Sequence, residues 1–211
     1  MSGIMLNIAG GTFSNIPAIG AAFGGGFFAG QINQSGTIYN LVIGPKASAQ
    51  ISNKQYKNSN SATLGADSVI NGPQNTIDMV AAGSSIDYPA GYFCNDLVTG
   101  GFSDWYMPAK NELEVCYFNL KPETASNTTS SGINTNAVPS RSSNYTAGTP
   151  AQTSVLTFKT GGAEAFDSFS YWSSSESTDT SAWIQVFYTG TQIYVTKYNN
   201  NRVRAVRRLP A

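Results

Sequence analysis

Apolar residues in the C-terminal third of the chain recur with a period of two in three runs, Ala182–Phe187, Gln192–Lys197 and Arg202–Leu209. With Tyr171-Trp172-Ser173-Ser174-Ser175-Glu176 before them and the turn Tyr188-Thr189-Gly190-Thr191 between the first two, they predict an antiparallel meander that the rest of the chain supports. In the first run both alternating sets, Trp183/Phe187 and Ala182/Ile184/Val186, are mostly apolar, so this strand is expected to be central and covered on both faces. In the second, Ile193 and Val195 oppose Gln192, Tyr194, Thr196 and Tyr198, which predicts one core face and one wet face. The third spaces Val203 and Val206 three apart. A period of two cannot place both on one side, so a bulge or two-sided burial is expected near Ala205.

Earlier in the chain, Phe27–Ile32 and Thr37–Ile43 flank Asn33-Gln34-Ser35-Gly36 and predict a hairpin. Ser48–Gly65 has no apolar rhythm and reads as a surface loop. Ile77, Val80 and Ala81 at helical spacing predict a short helix over Asn75–Ala82, and a second is expected over Pro89–Leu97 with Tyr92, Phe93 and Leu97 inward. The strongest helix follows Pro108: Leu113, Cys116/Tyr117 and Leu120 repeat at three and four residues, and Pro122 ends it. Thr124–Pro150 is rich in Ser, Thr, Asn, Gly and Ala and is expected to be a long surface insertion. Two glycosylation-type triplets within it, starting at Asn127 and Asn144, are expected by chance in so Asn/Thr-rich a segment. Ser154–Phe158 reads as a short strand.

Composition changes this picture at three points. Charged residues make up 11% of the 211 positions and the formal net charge is zero, so no overall field draws the protein to nucleic acid or anionic membrane. None of the charges falls before Lys46. A membrane span over Ile8–Ile32 is disfavoured by Gly10-Gly11, Pro17 and Gly24-Gly25-Gly26, and the absence of a preceding basic residue argues against a secretory leader. Met1–Gly20 therefore reads as an uncharged, Gly-rich assembly or docking segment, and residues 21–211 as one globular domain. Of the five arginines, four lie between Arg202 and Arg208. An anion-binding patch is one reading of that run. The favoured one is structural, with alternate arginines paired to Glu112 and Glu176.

The chain contains no histidine and two cysteines, Cys94 and Cys116. That excludes Ser-His and Cys-His nucleophiles and the usual zinc sets, so no cofactor, no metal and no enzymatic activity are expected. The two thiols are expected buried and free, with a disulfide as the alternative.

Three elements together carry a resemblance: Gly100-Gly101-Phe102-Ser103-Asp104-Trp105-Tyr106-Met107-Pro108 running into Asn111-Glu112-Leu113; Tyr171–Glu176; and Ala182-Trp183 leading through Gly190 to Arg202–Arg208. The chain resembles the C-type-lectin-like domains of phage tail fibres and bacterial adhesins, relatives of the variable proteins of diversity-generating retroelements and, distantly, of formylglycine-generating enzymes. The resemblance implies an α+β fold with two main helices, a small twisted antiparallel sheet and long loops. It also implies that Trp105, Trp172 and Trp183 are core, and that Glu112 and Glu176 anchor loops or meet Arg204 and Arg207.

The function expected on these grounds is that of a virion structural protein at the particle surface. Its N-terminal segment would dock to other virion proteins, a homotrimer is expected, and the lectin-like domain would bind a host-surface glycan or protein. A decoration protein and a secreted glycan-binding adhesin are the alternatives. The pleat puts Tyr194, Thr196 and Tyr198 on the wet face, with the turn residues Tyr188, Thr189 and Thr191 and the loop Asn199-Asn200-Asn201 as neighbours, and this set is the candidate ligand site.

Overall fold

The computed structural model describes residues 16–211; most of the expected assembly segment, residues 1–15, lies outside them. The strands are β1 (Ala22–Phe23), β2 (Gly26–Gln34), β3 (Thr37–Ile43), β4 (Gln50–Lys54), β5 (Ala137–Val138), β6 (Ser170–Thr178), β7 (Ser181–Val186), β8 (Gln192–Thr196), β9 (Asn201–Arg204) and β10 (Val206–Pro210). The helices are α1 (Lys46–Ala49), α2 (Gly72–Ala82), α3 (Pro89–Asn95) and α4 (Lys110–Leu120), with a 3₁₀ turn at Leu156–Phe158. This is an α+β architecture built on two five-stranded sheets. One has the order β1-β2-β3-β10 with β5 on β2, and the other the order β4-β9-β6-β7-β8.

The expected hairpin forms as β2–β3. Its two-residue turn places Ser35 and Gly36 at φ 52° and 94°, the left-handed pair that matches the natural twist of the flanking strands. A bulge between Phe28 and Gly30 then bends β2 beneath α4. Gly30 sits at φ 128°, and a Cβ there would run into Asn119 and Val115, so only glycine lets the helix approach this closely. Asn119 of α4 seals the contact by donating to the Ala29 carbonyl at 2.8 Å.

α4 starts two residues after Pro108 and carries its predicted apolar face inward, with Leu113, Cys116, Tyr117 and Leu120 buried between the two sheets. On the opposite side of the second sheet, α2 and α3 bury Met79, Ala90 and Cys94 against Trp172, Ile184 and Val203. The second sheet is thus covered on both faces, which explains the two-sided apolar pattern of β7. Its place is next to the edge rather than central, because β8 ends the sheet.

The meander expectation holds for β6–β7–β8 and fails after it. β9 crosses back to lie between β6 and β4, and β10 leaves that sheet to pair with β3. Ala205 is the hinge: its N–H donates to the Ala49 carbonyl (2.8 Å) and its carbonyl accepts from Gly44 N–H (3.0 Å). Val203 accordingly packs in one core cluster and Val206 in the other. The spacing of three marks a strand changing sheets.

Other expectations need correction. Residues 48–65 contain β4 as well as loop, because β9 supplies an edge for Gln50–Lys54. α2 turns Asn75, Thr76 and Met79 inward and leaves Ile77 55% exposed; the inner face is held by side-chain hydrogen bonds, including Asn75 to the Ser68 carbonyl, which no apolar periodicity reveals. The Ser154–Phe158 strand is replaced by the 3₁₀ turn. Residues 124–150 pack into the body: Ala137 and Tyr145 join the core, β5 pairs with β2, and buried Asn127 bonds the carbonyls of Thr146 and Pro150. Polar composition concealed that burial because amide side chains supply the hydrogen bonds the buried backbone requires.

Candidate functional site

Of the nine residues expected to form one ligand face, Tyr194 and Thr196 lie within β8 and the other seven are divided between its two ends. Tyr188, Thr189 and Thr191 lie in the turn that enters the strand, whereas Tyr198, Asn199 and Asn200 lie in the turn that leaves it. Five residues of extended strand, about 17 Å, separate the turns. Asn201 begins β9. Tyr198 is no longer in the strand, and its carbonyl accepts from the Gln55 side chain. Ile193 was expected in the core but is 44% exposed; only Val195 of that pair packs inward, because α2 and α3 do not reach the end of the sheet.

What the fold does assemble lies on the other face of the β7–β8 hairpin. Trp183 sits directly opposite Tyr194 in the register, and their rings meet edge to face at 5.4 Å. Trp183 is therefore half-buried on the outer surface rather than core, whereas Trp105 and Trp172 are buried as expected. Lys110, the first residue of α4, lays its Nζ 3.9 Å over the Trp183 ring. Partial burial lowers the Lys110 pKa. The helix start is held there because Lys110 N–H donates to Ser175 Oγ (3.0 Å) and its carbonyl accepts from Gln192 Nε2 (3.3 Å).

Residues 124–150 supply the facing wall. Ser131 Oγ accepts from Gln192 N–H (3.0 Å) and Thr128 N–H donates to the Thr189 carbonyl (2.7 Å), which fixes the segment against the hairpin. Gly132, at φ 117°, lies so close over Tyr145 that a Cβ would strike the ring. Between the walls lies a groove of about 240 Å³ lined by Lys110, Ser130, Ile133, Asn144, Trp183 and Gln192 among others. Tyr194, 56% exposed, does not line the groove itself and reaches it through its ring contact with Trp183. Lys110 carries the one charge among the lining side chains. Of the expected ligand residues, Tyr194 alone borders this groove through its contact with Trp183. Lys110, Ser130, Ile133 and Asn144 escaped the sequence reading, which set Gln192 on the wet face of its strand without making it a ligand residue; the hint of Ser130, Ile133 and Asn144 was the Ser/Asn/Thr richness of residues 124–150.

A larger cleft of about 410 Å³ lies between Tyr39, Ile77, Asp104, Trp105, Tyr106 and Arg208. Its charges are already engaged: Asp104 takes a two-pronged pair from Arg207 (2.8 Å each), while Arg208 bonds Asn71 (3.1 Å) and stacks over Tyr39. The ion pairs follow expectation in part: Glu112 meets an arginine of the run, Arg208, and Glu176 anchors a loop by accepting from Thr63 N–H (3.0 Å), but neither meets Arg204 or Arg207. Glu112 accepts from Ala109 N–H (2.8 Å), Tyr106 OH (2.9 Å) and Arg208 (3.4 Å); Glu176 pairs with Lys197 (2.6 Å); Arg204 pairs with Glu164 (2.7 Å). Glu164 comes from a loop whose docking no local pattern announces.

Cys94 and Cys116 are free and buried in separate core clusters, and burial pushes the Cys116 thiol up to about 12. Among the described residues no group of three His, Cys, Asp or Glu side chains is placed to hold a metal ion, and no helix is long and apolar enough to cross a membrane.

The Lcl C-terminal domain family matches residues 61–207, a span that contains the first two sequence elements singled out above, the third as far as Arg207, and every groove residue. A fimbrial protein from Bacteroides ovatus ATCC 8483 has a similar backbone, with a TM-score of 0.45 and 15% identity over 79% of this chain and 35% of that one. The chain thus spans about a third of that protein's length. No curated protein sequence matches it.

Proposed function

The chain belongs to the Lcl C-terminal domain family, and we propose that it is a surface protein of adhesin type with a C-type-lectin-like domain that binds host-surface carbohydrate. The ligand site in this reading is the groove between the β7–β8 hairpin and residues 124–150. One observation carries it: the Trp183 ring, capped by Lys110 and met edge to face by the exposed ring of Tyr194, lines a groove together with the uncharged hydrogen-bonding side chains Ser130, Asn144 and Gln192. Sugar rings present an apolar face and a rim of hydroxyls. An aromatic platform meets the first and amide and hydroxyl groups meet the second, at little conformational cost because Trp183 and Gln192 are already fixed. The larger cleft suits this less well, since its polar groups spend their hydrogen bonds on one another. Presentation at a particle or cell surface is part of the same proposal.

A glycan array and host-cell binding test the reading. Tyr194→Ala is expected to weaken binding at least about tenfold, the scale of one aromatic anchor, while Tyr198→Ala at the far turn leaves it unchanged. If both variants bind like the parent protein the groove is not the site. Absence of any binding by the parent protein favours a decoration role.

A further inference from the structure

The two walls of the groove come from distant stretches of the chain, and helix α4 reaches both. Lys110 and Glu114 are four residues apart and therefore stand one above the other on one face of the helix. Lys110 lays its ammonium over Trp183 on the hairpin side. Glu114, its side chain fully buried, serves the other wall. Its carboxylate accepts from Asn134 Nδ2 (2.6 Å), from Tyr145 OH (2.7 Å) and from the guanidinium of Arg141, and all three donors belong to residues 124–150.

Two of these donors adjoin the groove in the chain. Asn134 follows Ile133, Tyr145 follows Asn144, and both Ile133 and Asn144 line it, whereas Glu114 does not. Each donor passes its position on. Asn134 Nδ2 also donates to the Asn111 carbonyl (2.9 Å), and its Oδ1 accepts from the N–H groups of Asn136 (3.2 Å) and Ala137 (3.1 Å). Tyr145 N–H donates to the Ser131 carbonyl (2.7 Å), and its ring lies directly against Gly132. Arg141 exchanges both backbone hydrogen bonds with Asn134 and stacks 4.0 Å over Phe118 of α4. We propose that Glu114 is the positioning residue of this site: its carboxylate sets where Ile133 and Asn144 stand against Trp183, and so which arrangement of ligand hydroxyls the groove accepts. The ligand in this inference rests on the carbohydrate reading; the placement of the wall does not.

One turn of a rigid helix, about 5.4 Å of rise, thus acts as the spacer between the walls. Binding groups keep their geometry only when held to within about 0.5 Å. Residues 124–150 place only Ala137 and Tyr145 in the hydrophobic core, so apolar packing alone does not fix them, and hydrogen bonds to one buried carboxylate take over. The chemistry of that position is specific. A carboxylate only accepts and all three partners donate, whereas an amide in its place would turn an NH₂ group toward a donor.

Glu114→Gln sets that amide against the donors and leaves the Arg141 cation without its anion, so the wall is expected to move away from Trp183. Trp183 is half-buried while Trp105 and Trp172 are buried, so acrylamide quenching of tryptophan fluorescence in the ligand-free protein reads this movement and is expected to rise. On the glycan array the variant is expected to lose about tenfold or more for the glycans the parent protein prefers, and to rank glycans differently. Glu114→Gln combined with Arg141→Met is expected to restore both readouts, because the amide then accepts from Asn134 and donates to the Tyr145 hydroxyl, which can accept. Lys197→Met removes a buried cation at the far end of β8 and is the control for stability lost elsewhere; its quenching and glycan ranking are expected to match the parent's. Parental quenching in Glu114→Gln overturns the proposal. So does a double variant no better than the single one, or a Lys197→Met that behaves as Glu114→Gln does, since the effect would then follow stability alone. Quenching that rises and recovers as described, with no glycan bound even by the parent protein, would remove the carbohydrate reading and leave the positioning role standing.

Discussion

The strands β9–β10 and the hairpin β7–β8 lie close together in the chain and use polarity in opposite ways. Every arginine of β9–β10 reaches a carboxylate from a distant segment: Arg202 meets Asp167, Arg204 meets Glu164, Arg207 meets Asp104 and Arg208 meets Glu112. The same guanidiniums stack on Phe169, Phe166, Phe102 and Tyr39. These charges are consumed in holding loops, so the run Arg202–Arg208 that reads as an anion-binding patch is not a free one. From Tyr188 to Thr196 the hairpin has no charge to consume, and its exposed groups are aromatic rings, hydroxyls and amides. In a chain with 11% charged residues, ions select which loops dock, and uncharged side chains are left to face outward.

The sharpest way to break that contrast is Arg204→Met. Arg204 is fully buried and donates to the Gly44 and Glu164 carbonyls as well as to the Glu164 carboxylate, so its removal leaves a partly buried carboxylate and two carbonyls without partners. A loss of about 3–5 kcal/mol in urea unfolding is expected, against about 0.5 kcal/mol or less for Tyr194→Ala on the exposed hairpin. Equal losses would erase the distinction between the two regions.

Lys197 sharpens it from the other side. Its buried ammonium donates to Glu176 (2.6 Å), the Ser61 carbonyl (2.9 Å) and the Asp179 carbonyl (2.7 Å), and so ties two loops to the end of β8. Lys197→Met is expected to cost about 3 kcal/mol and to expose residues 55–67 to limited proteolysis. A protein that resists the protease as the parent does would show that these loops hold without the cation.

The smallest effect is on pH dependence. Burial alone would raise the Asp167 pKa, but hydrogen bonds from Lys46 and Arg202 outweigh it and hold the carboxyl below its ordinary value. A depressed carboxyl contributes stability that is present above the unfolded value, about 3.9, and is lost as pH falls through the folded one. Asp167→Asn should therefore lower stability at pH 7 and flatten the decline between pH 5 and 2. A parallel decline in both proteins would remove Asp167 from the acid response.

Local pattern determined a good part of this protein. The Asn33–Gly36 turn, the apolar face of α4, the two-sided burial of β7 and the break at Ala205 all follow from residues within a few positions of one another, because turn dihedrals and side-chain periodicity are short-range constraints. Absence of histidine likewise restricted the available chemistry before any fold was known. The groove was not legible in this way. Lys110 and Trp183 are 73 positions apart in the numbering and Ser131 and Gln192 are 61 apart, and neither pair has a local signature. Which carboxylate meets which arginine was equally hidden, since a charge pairs with whatever the fold brings within reach. Tertiary packing also reversed the fate of Ile193, because helices cover the second sheet only up to its last strand and an edge residue is exposed however apolar it is, and of Trp183, which α4 meets only with the side chain of its first residue, Lys110.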